Sequence, residues 1–365
     1  MQVKPSQLVP GCIVLKDVYG KTKTPIVPKN TVLTEKHIEI LKGFLIESIT
    51  VASDLNDGTT FNPLPVEKEV NEEKSYDKKT SSTEIPFSQH FLKVVSNYKQ
   101  LYQEIQSGLH LDILRVRKLI TPLLERIEEV DQFVHVLSKF GNRNEYLYIH
   151  SVAVSILASY LARKLNYEKT EWVQIGIAGL LSDSGMAKID QNIVFRKGEI
   201  YKGEYENEIT KHPTYSYRLV EPISTLKDEV KLAILQHHER LDGSGYPLGV
   251  KMEKIHKYAQ IIAVCDVYHA TISDRLSKEK KSLYQAVEEL EKDRITKFNS
   301  KLVNRFAQLM INLKIGAKVK LSNQQVGEIV YMNPSYKTRP MVRMDQTNEI
   351  IALQNFPNLY IEEKL

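Results

Sequence analysis

A long block of helical periodicity constrains the fold of this chain more than any other feature. Between residues 87 and 312, apolar residues recur at three- and four-residue steps, as in HFLKVVSNYKQLYQEI and YIHSVAVSILASYLARKL. The stretch Ile175–Leu181 is almost wholly apolar, which predicts a helix that is buried on most sides. The middle of the chain is therefore predicted to be an all-α domain with a sizeable core.

The two ends of the chain carry a different pattern. Short β-branched runs such as GCIVLKDVYG occupy the first 53 residues, and period-two alternation such as VGEIVYMN returns after residue 312. Residues 54–86 are polar and charged, which is typical of a linker. The predicted fold is mainly α, with small β-rich units at both ends. The predicted segments are a β-rich domain 1–53, a linker 54–86, a helical segment 87–140, a helical domain 141–312 and a β domain 313–365.

Charge and cysteine content restrict the partners of the chain. The 365 residues carry a formal net charge of +5, and the charges are interspersed, which argues against DNA as a partner but is compatible with an anionic ligand. Cys12 and Cys265 have no metal-ligand spacing and do not suggest a disulfide framework, so a reducing cytoplasm is favoured. No apolar run approaches the length of a transmembrane helix, so no membrane span is expected.

The stretch QHHERLDGSGYP places His237 beside His238. Adjacent residues on a helix do not share a face, so the pair gains nothing on an intact helix. Gly243 and Gly245 indicate that a helix ends here in a tight turn. The pair is useful where both rings turn into one cavity, and the stretch is therefore a candidate ligand site.

Other residues with metal-ligand chemistry occur along the helical region. Asp183 and Asp266 each end an apolar helical run, IAGLLSD and IIAVCD, where an ionised carboxylate is costly unless a cation meets it. Each residue alone is more readily explained as a capping aspartate or a hydrogen-bonded core histidine. Together, neutral imidazoles and carboxylates suit manganese, iron or zinc. The candidate metal ligands are His150, Asp183, His212, His237, His238 and Asp266.

Five segments between about residues 142 and 310 resemble the HD-GYP family, a branch of the HD superfamily of metal-dependent phosphohydrolases. They are YIHSVAVS, GLLSDSGM, KHPTYSYRL, QHHERLDGSGYPLG and IIAVCDVYHATISDRLSK. The resemblance implies a helical HD-GYP domain at 141–312 that hydrolyses cyclic-di-GMP to pGpG or GMP by a metal-activated hydroxide. It also implies one or two divalent ions, with iron or manganese preferred.

The resemblance assigns roles to individual residues. It implies that Asp183 is the catalytic carboxylate that bridges two metal positions. One position would be held by Asp183, His212, His237 and His238. The other would be held by His150, Asp183 and Asp266. Substrate-binding roles are implied for the Gly-Tyr-Pro turn and for two cations that match positions contacting phosphate or guanine: Gly245, Tyr246, Pro247, Arg275 and Lys278.

The sequence departs from the family pattern at four positions that bear on the site. The stretch SDSGM replaces the family's HDIGK, so Ser182 occupies the position of a histidine ligand and Met186 that of a lysine. Tyr146 stands where some relatives have a third-metal glutamate, so a third ion is not expected. His269 replaces the acidic residue usual after DVY and is expected to approach the site.

Two interpretations follow from these departures. The first is a working cyclic-di-GMP phosphodiesterase that Ser182 and Met186 impair. The second is a catalytically inactive HD-GYP domain that acts as a cyclic-di-GMP receptor or binds a protein partner through its flanking domains. The amphipathic helices of residues 87–140 are compatible with a homodimer and equally with a cover for the helical core.

Overall fold

The computed structural model describes residues 1–3, 7–19, 25–34, 37–38, 41, 48–61, 63, 85–195, 204–275 and 279–365. The chain divides into two compact units, Met1–Ser82 and Thr83–Leu365. The predicted fold class is confirmed, since the core is mainly helical and small antiparallel sheets occupy both ends. In the described ranges, no helix has the length and apolarity that crossing a bilayer requires.

The first unit is β-rich, as the sequence predicts. Its strands are β1 Gln2–Val3, β2 Cys12–Val14, β3 Val18–Tyr19, β4 Pro25–Val27 and β5 Ile49–Leu55. The antiparallel sheet has the order β1-β5-β2, and β3 pairs with β4. The start of β5 alternates, because Ile49 and Val51 are buried while Thr50 between them is less so.

The structure alters the start of the predicted linker. Strand β5 continues through Asp54 to Leu55, and Phe61 is only 3% exposed, within the core of the first unit. The β-rich unit therefore extends beyond residue 53, because a single aromatic side chain in a polar stretch is enough to anchor it. Residues 62 and 64–84 of the predicted linker lie outside the described residues.

The helices whose ends the structure describes lie in the second unit. Those of eight or more residues are α1 Phe87–Gln106, α2 Ile113–Leu124, α3 Tyr146–Lys164, α4 Lys169–Leu181, α5 His212–Val220, α6 Asp228–Gln236, α7 Lys257–Ile272, α8 Leu283–Asp293 and α9 Ser300–Met310. Shorter helices are Val130–Phe133, Gln191–Val194 and Glu204–Ile209, and 3-10 turns are Ile127–Glu129, Leu137–Phe140, Ser184–Lys188, Met252–Lys254 and Leu353–Asn355.

Helices α3 and α4 pack against each other at the centre of this unit. The apolar run Ile175–Leu181 forms the buried end of α4, as predicted. The close approach depends on Gly176, because a Cβ there would lie 2.1 Å from Ser159 Oγ. Helix α7 packs on α3, α6 and α8, and the buried residues of these helices belong to one hydrophobic core.

Strands β6–β10 form an antiparallel sheet in the order β10-β6-β7-β8-β9. They are β6 Lys318–Leu321, β7 Val326–Tyr331, β8 Met341–Met344, β9 Ile350–Ala352 and β10 Ile361–Lys364. The sheet belongs to the same compact unit as the helices. Arg339 anchors it, since its Nε and Nη2 each donate to the Glu288 carboxylate of α8 at 2.8 Å.

Candidate metal centre

Helix ends bring the predicted ligands into one cleft. Asp183 lies two residues beyond the end of α4, His212 begins α5, and the pair His237 and His238 follows α6, which ends at Gln236. Residues within α3 and α7 complete the group. Six side chains form two overlapping clusters, the first comprising Asp183, His212, His237 and His238, and the second His150, Asp183 and Asp266.

Three atoms of the first cluster converge on one point. Asp183 Oδ1 lies 3.2 Å from His212 Nε2 and 3.5 Å from His237 Nε2, and the two Nε2 atoms are 3.3 Å apart. Two ligands that each lie about 2.1 Å from one ion are about 3.0 Å apart at a right angle and about 3.4 Å apart at the tetrahedral angle. The spacing therefore fits the first coordination sphere of a single ion.

Backbone carbonyls fix which nitrogen of each ring faces this point. His212 Nδ1 lies 2.7 Å from Ile209 O, and His237 Nδ1 lies 2.7 Å from Ile234 O. A carbonyl only accepts hydrogen bonds, so both Nδ1 atoms must carry the proton and donate. In the neutral form of the two rings, both Nε2 atoms point lone pairs at the carboxylate oxygen. Three acceptors that face one another in a buried place favour a cation between them.

The second cluster uses the other oxygen of the same carboxylate. His150 Nε2 lies 3.5 Å from Asp183 Oδ2 and 2.9 Å from Asp266 Oδ1. Ser182 adds nothing here, because its Oγ donates to Ala178 O at 2.7 Å within helix α4. The second position thus has one imidazole and two carboxylates. Both clusters are consistent with a divalent metal site.

The far side of the His150 ring contacts two of the unusual residues. His150 Nδ1 lies 2.9 Å from His269 Nδ1 and 3.2 Å from Tyr146 Oη. The expected approach of His269 to the site is thus realised, and its side chain is 1% exposed. Burial and the adjacent His150 ring hold the pKa of His269 well below its ordinary value. Burial raises the pKa of Tyr146, so its hydroxyl keeps its proton.

The electrostatics of the cluster favour charged carboxylates and a neutral His238 ring. Burial alone would raise the pKa of Asp183, but contacts with His212 and His237 hold it well below its usual range. Burial would also raise the pKa of Asp266, but a hydrogen bond with His150 lowers it below its usual range. Burial and the neighbouring His237 hold the pKa of His238 well below its ordinary value. These are the protonation states that metal ligands need.

Residues 135–302 match the HD domain family. Those residues form an HD domain. The predicted resemblance is confirmed, since homologues of the chain are cyclic-di-GMP phosphodiesterases of the HD-GYP type. A cyclic di-GMP phosphodiesterase of Pseudomonas aeruginosa is 27% identical over 244 residues, covering 67% of this chain and 58% of the relative. The cyclic di-GMP phosphodiesterase response regulator RpfG of Xanthomonas campestris is 32% identical, covering 50% of this chain and 49% of the relative.

Further similarities extend the comparison. A 3'3'-cGAMP-specific phosphodiesterase of Vibrio cholerae is 28% identical, covering 46% of this chain and 39% of that protein. The chain spans about half the length of the curated relatives it matches. Among solved structures, Bd1817 of Bdellovibrio bacteriovorus, a HDG"Y"P protein, covers 85% of this chain and 99% of its own, with 14% identity and a TM-score of 0.48.

The turn after the histidine pair closes one wall of the HD-domain site. Gly245 has no room for a side chain, because a Cβ would lie 2.4 Å from both His238 O and Arg240 N. The buried carboxylate of Glu239 accepts hydrogen bonds from the backbone of the turn, at 2.7 Å from Leu248 N and at 3.1 Å from a second amide. The role of Glu239 was not predicted, although it lies within the HHERLDGSGYP motif.

The clusters open into a cavity of about 460 Å³, within the usual size of small-molecule sites. Tyr246 lines it and stacks on His238, with ring centroids 4.7 Å apart and planes inclined by 28°. Of the other predicted substrate residues, Arg275 lines the cavity, whereas Gly245 and Pro247 are absent from its described lining. Lys278 lies outside the described residues.

Two further arginines line the cavity that sequence reasoning did not single out. Arg143 pairs with Asp274 at 2.8 Å, and Arg240 lies over the Phe298 ring at 4.9 Å. Arg240 could have been noticed, since it stands inside the histidine motif. Met186 also lines the cavity, and Lys188 does not replace its missing charge, because Lys188 Nζ donates to Ile105 O at 2.7 Å.

Proposed function

We propose that the HD domain is a metal-dependent phosphodiesterase that hydrolyses a cyclic dinucleotide, with cyclic-di-GMP as the first candidate. The observation that carries the proposal is the convergence of Asp183 Oδ1 with His212 Nε2 and His237 Nε2, whose ring orientations are set by backbone carbonyls. A buried arrangement of three acceptors favours a bound cation, and the shared carboxylate offers its second oxygen to an adjacent position.

Iron or manganese fits this donor set better than magnesium or calcium, because imidazole nitrogens are mixed with carboxylate oxygens. Asp183 would hold the first ion with three histidines and would share a second ion with His150 and Asp266. A bound divalent cation supplies Lewis acidity that activates water and neutralises phosphoryl charge. Asp183 is accordingly the residue whose loss removes the chemistry.

The cavity wall suits a substrate that has phosphates and a flat base. Arg275 faces the cavity, and its buried Nε finds no hydrogen-bond acceptor among the described residues. A planar guanidinium of this kind is suited to phosphate or guanine. Tyr246, fixed against His238, presents an aromatic surface. Lys278, three residues beyond Arg275, is proposed as a second cation for the same ligand, and Gly245 and Pro247 as the frame of Tyr246.

A second candidate function rests on Ser182 and Met186. Ser182 donates its hydroxyl to Ala178 O, and Met186 leaves the cavity without the family's lysine. Neither change removes the arginines or Tyr246. These observations favour an HD-GYP domain that binds cyclic-di-GMP without hydrolysing it and signals to a protein partner through the flanking β-rich units.

Hydrolysis and binding should be measured on the same preparations. The full chain is stripped with a chelator, reloaded with manganese or, without oxygen, with iron, and given cyclic-di-GMP; 3'3'-cGAMP serves as a parallel substrate. The enzyme proposal predicts pGpG or GMP only after reloading, and no product from Asp183→Ala. Stable binding without product under both metals selects the receptor. Neither binding nor product with either dinucleotide contradicts both candidates.

Binding through Arg275 has its own test. A hydrogen bond to a charged group contributes about 1.5–3 kcal/mol, so Arg275→Ala should weaken dinucleotide binding by about 10- to 150-fold. Lys188→Ala is the control, because that lysine is engaged with Ile105 O. Equal affinities of the two variants would contradict the assigned role of Arg275.

We also propose that residues 141–312 are the HD-GYP domain, that 1–53 with its extension and 313–365 are accessory domains, and that the chain works in the cytoplasm. Cys12 and Cys265 are both free thiols and buried, as a reducing compartment allows. Limited proteolysis should cut first within residues 54–86, beyond the buried Phe61. Cleavage concentrated in residues 150–270 would contradict this division.

A further inference from the structure

His150 differs from His212 and His237 in what lies behind its ring. His212 and His237 each direct Nδ1 at a backbone carbonyl, whereas His150 directs Nδ1 at another imidazole and a phenol. A metal-ligating histidine usually donates its second N–H to a carboxylate, a carbonyl or water. His150 therefore lacks the partner that would prepare it for coordination through Nε2.

We propose that His269 and Tyr146 select the tautomer of His150, and that His269 is a positioning residue which makes the second metal position bind more weakly than the first. The inference rests on the proposed metal site and specifies its occupancy. It concerns Nδ1 of His150, which lies 2.9 Å from His269 Nδ1 and 3.2 Å from Tyr146 Oη.

Only one proton fits between two ring nitrogens 2.9 Å apart. If His150 donates, its Nε2 is bare and faces Asp266 Oδ1 at 2.9 Å, where two acceptors repel each other unless a cation lies nearby. If His150 accepts at Nδ1, its Nε2 carries the proton and donates a charge-assisted hydrogen bond to Asp266. The second arrangement is the more stable one before any ion arrives.

Tyr146 reinforces the same arrangement. Its hydroxyl is a donor within reach of His150 Nδ1, and the Arg275 guanidinium lies 5.6 Å from the centre of its ring. A phenol that donates to Nδ1 keeps the proton of His150 on Nε2. Both His269 and Tyr146 can therefore donate to an unprotonated Nδ1 of His150. If that Nδ1 is protonated instead, only His269 can accept its proton at 2.9 Å.

Coordination by His150 then requires a rearrangement that His212 and His237 do not need. The Nε2 proton leaves to water and another proton is taken up at Nδ1, so the charge of the ring is unchanged. The Tyr146 hydroxyl must turn away, and His269 must present a bare Nδ1. A neutral imidazole replaces the carboxylate or carbonyl that normally accepts this proton. Changes of such partners alter metal affinity by about 10- to 100-fold.

Histidine-selective ¹⁵N NMR of the metal-free full chain reads the tautomers directly. We expect His150 in the Nε2–H form and His212 and His237 in the Nδ1–H form, with His150 assigned from the spectrum of His150→Gln. His256 is an internal reference for the Nε2–H form, because its Nδ1 accepts from Tyr258 N at 3.2 Å. An Nδ1–H signal for His150 would overturn the inference. This result comes from the wild-type protein and so does not depend on the folding of a variant.

Zinc titration followed by the same spectra tests the affinities. The first equivalent should shift His212 and His237 while His150 stays unchanged, and a further excess should convert His150. His269→Asp supplies a carboxylate acceptor and should tighten the second ion by about 10- to 100-fold, with His150 in the Nδ1–H form beforehand. His135→Asp, at a partly buried histidine elsewhere in the unit, should change neither.

The outcomes separate this inference from the proposed function. Two ions of equal affinity in the wild type, or no effect of His269→Asp in a folded variant, would overturn the inference and leave a metal-dependent enzyme intact. Tight zinc binding with the expected tautomers but no hydrolysis of any dinucleotide would support the inference and contradict the enzyme. Tyr146→Phe should tighten the second ion by less than His269→Asp, because only one of the two selecting contacts is lost.

Discussion

The two metal positions share one carboxylate but are built differently. On the side of Asp183 Oδ1, two rings are held by carbonyls of their own helical turns, at 2.7 Å each. On the side of Oδ2, His150 is bonded to Asp266 and backed by His269, and Ser182 is turned into its helix. The first position is prepared for an ion. The second is closed upon itself by hydrogen bonds.

This difference between the two positions shows where the departures from the family sequence act. The four unusual residues, Tyr146, Ser182, Met186 and His269, leave the contacts of the first position unchanged. Three of them lie at or behind the second position, and Met186 lines the cavity. The first cluster of candidate ligands therefore stays intact, and the departures act on the proposed second position; the variants below test that separation.

The largest effect is expected from Asp183→Ala. This carboxylate faces both positions, so its removal should abolish tight metal binding and hydrolysis together, a loss beyond the about 10- to 100-fold typical of groups behind the ligands. Metal content by elemental analysis and product formation are measured in parallel. Asp183→Asn keeps the shape and should lose nearly as much, because an amide does not carry the charge. Full metal content in either variant would remove the basis for a shared carboxylate.

A matched pair of histidine variants tests directly whether the first position binds an ion more tightly than the second. His237→Ala removes a prepared ligand and should lower the affinity of the first ion more than His150→Ala does. His150→Ala should leave one tight ion per chain, because it affects only the second position. Isothermal titration with manganese on both variants gives the affinities. A larger loss in His150→Ala would reverse the order of the two positions.

A smaller gain is expected from Ser182→His. The substitution restores an imidazole where the family has one, so the second ion should bind more tightly, by about 10- to 100-fold, and hydrolysis should rise with it. Thermal unfolding serves as a control, since Ser182 is buried and the larger ring must find room. A folded variant with unchanged metal affinity would show that the serine is not what limits the second position.

The smallest effect concerns pH. In the folded metal-free protein the pKa of His238 lies well below its unfolded value of about 6.5, because of burial and the neighbouring His237. As pH falls below about 6.5, the unfolded chain gains a proton that the folded chain refuses, so the free energy of unfolding decreases, by at most about 1.4 kcal/mol per pH unit. Stability should therefore fall between pH 7 and the lower folded pKa.

Urea unfolding of the metal-free protein at several pH values measures this dependence. His238→Gln should flatten it, while His256→Gln should matter less, because His256 has a smaller part of its ring buried and caps α7 at the surface. A wild-type stability that rises on acidification would contradict the direction assigned to His238.

The sequence predicted Asp183 and the His237–His238 pair because they lie just beyond helix ends that its own patterns reveal. His150 and Asp266 instead lie within α3 and α7, and α7 continues past Asp266 to Ile272. Asp183 closes an apolar run, and the His237–His238 pair precedes a glycine turn, so their positions needed no tertiary information. The contact of His150 with His269 was beyond reach, because it joins residues 119 positions apart through the packing of α3 on α7. The departure at His269 was visible, but its partner was not.

Other misses have the same origin. Lys188 stands two residues from Met186 and could have supplied a cation, but the 3-10 turn Ser184–Lys188 directs it to a carbonyl of α1. The polarity of residues 54–86 predicts a linker, but polarity gives no weight to one buried aromatic residue such as Phe61. Ring orientation in His212 and His237 depends on carbonyls three residues earlier, and helical periodicity does not specify it.

The central claim is that one divalent ion binds tightly between Asp183, His212 and His237. Anomalous diffraction from crystals of the full chain soaked with one equivalent of manganese locates the ion directly. We expect the strongest peak beside Asp183 Oδ1 and the two Nε2 atoms, with a weaker peak, or none, near His150 and Asp266. A peak confined to the His150 side, or no peak at the cluster in crystals that hold manganese elsewhere, would contradict it.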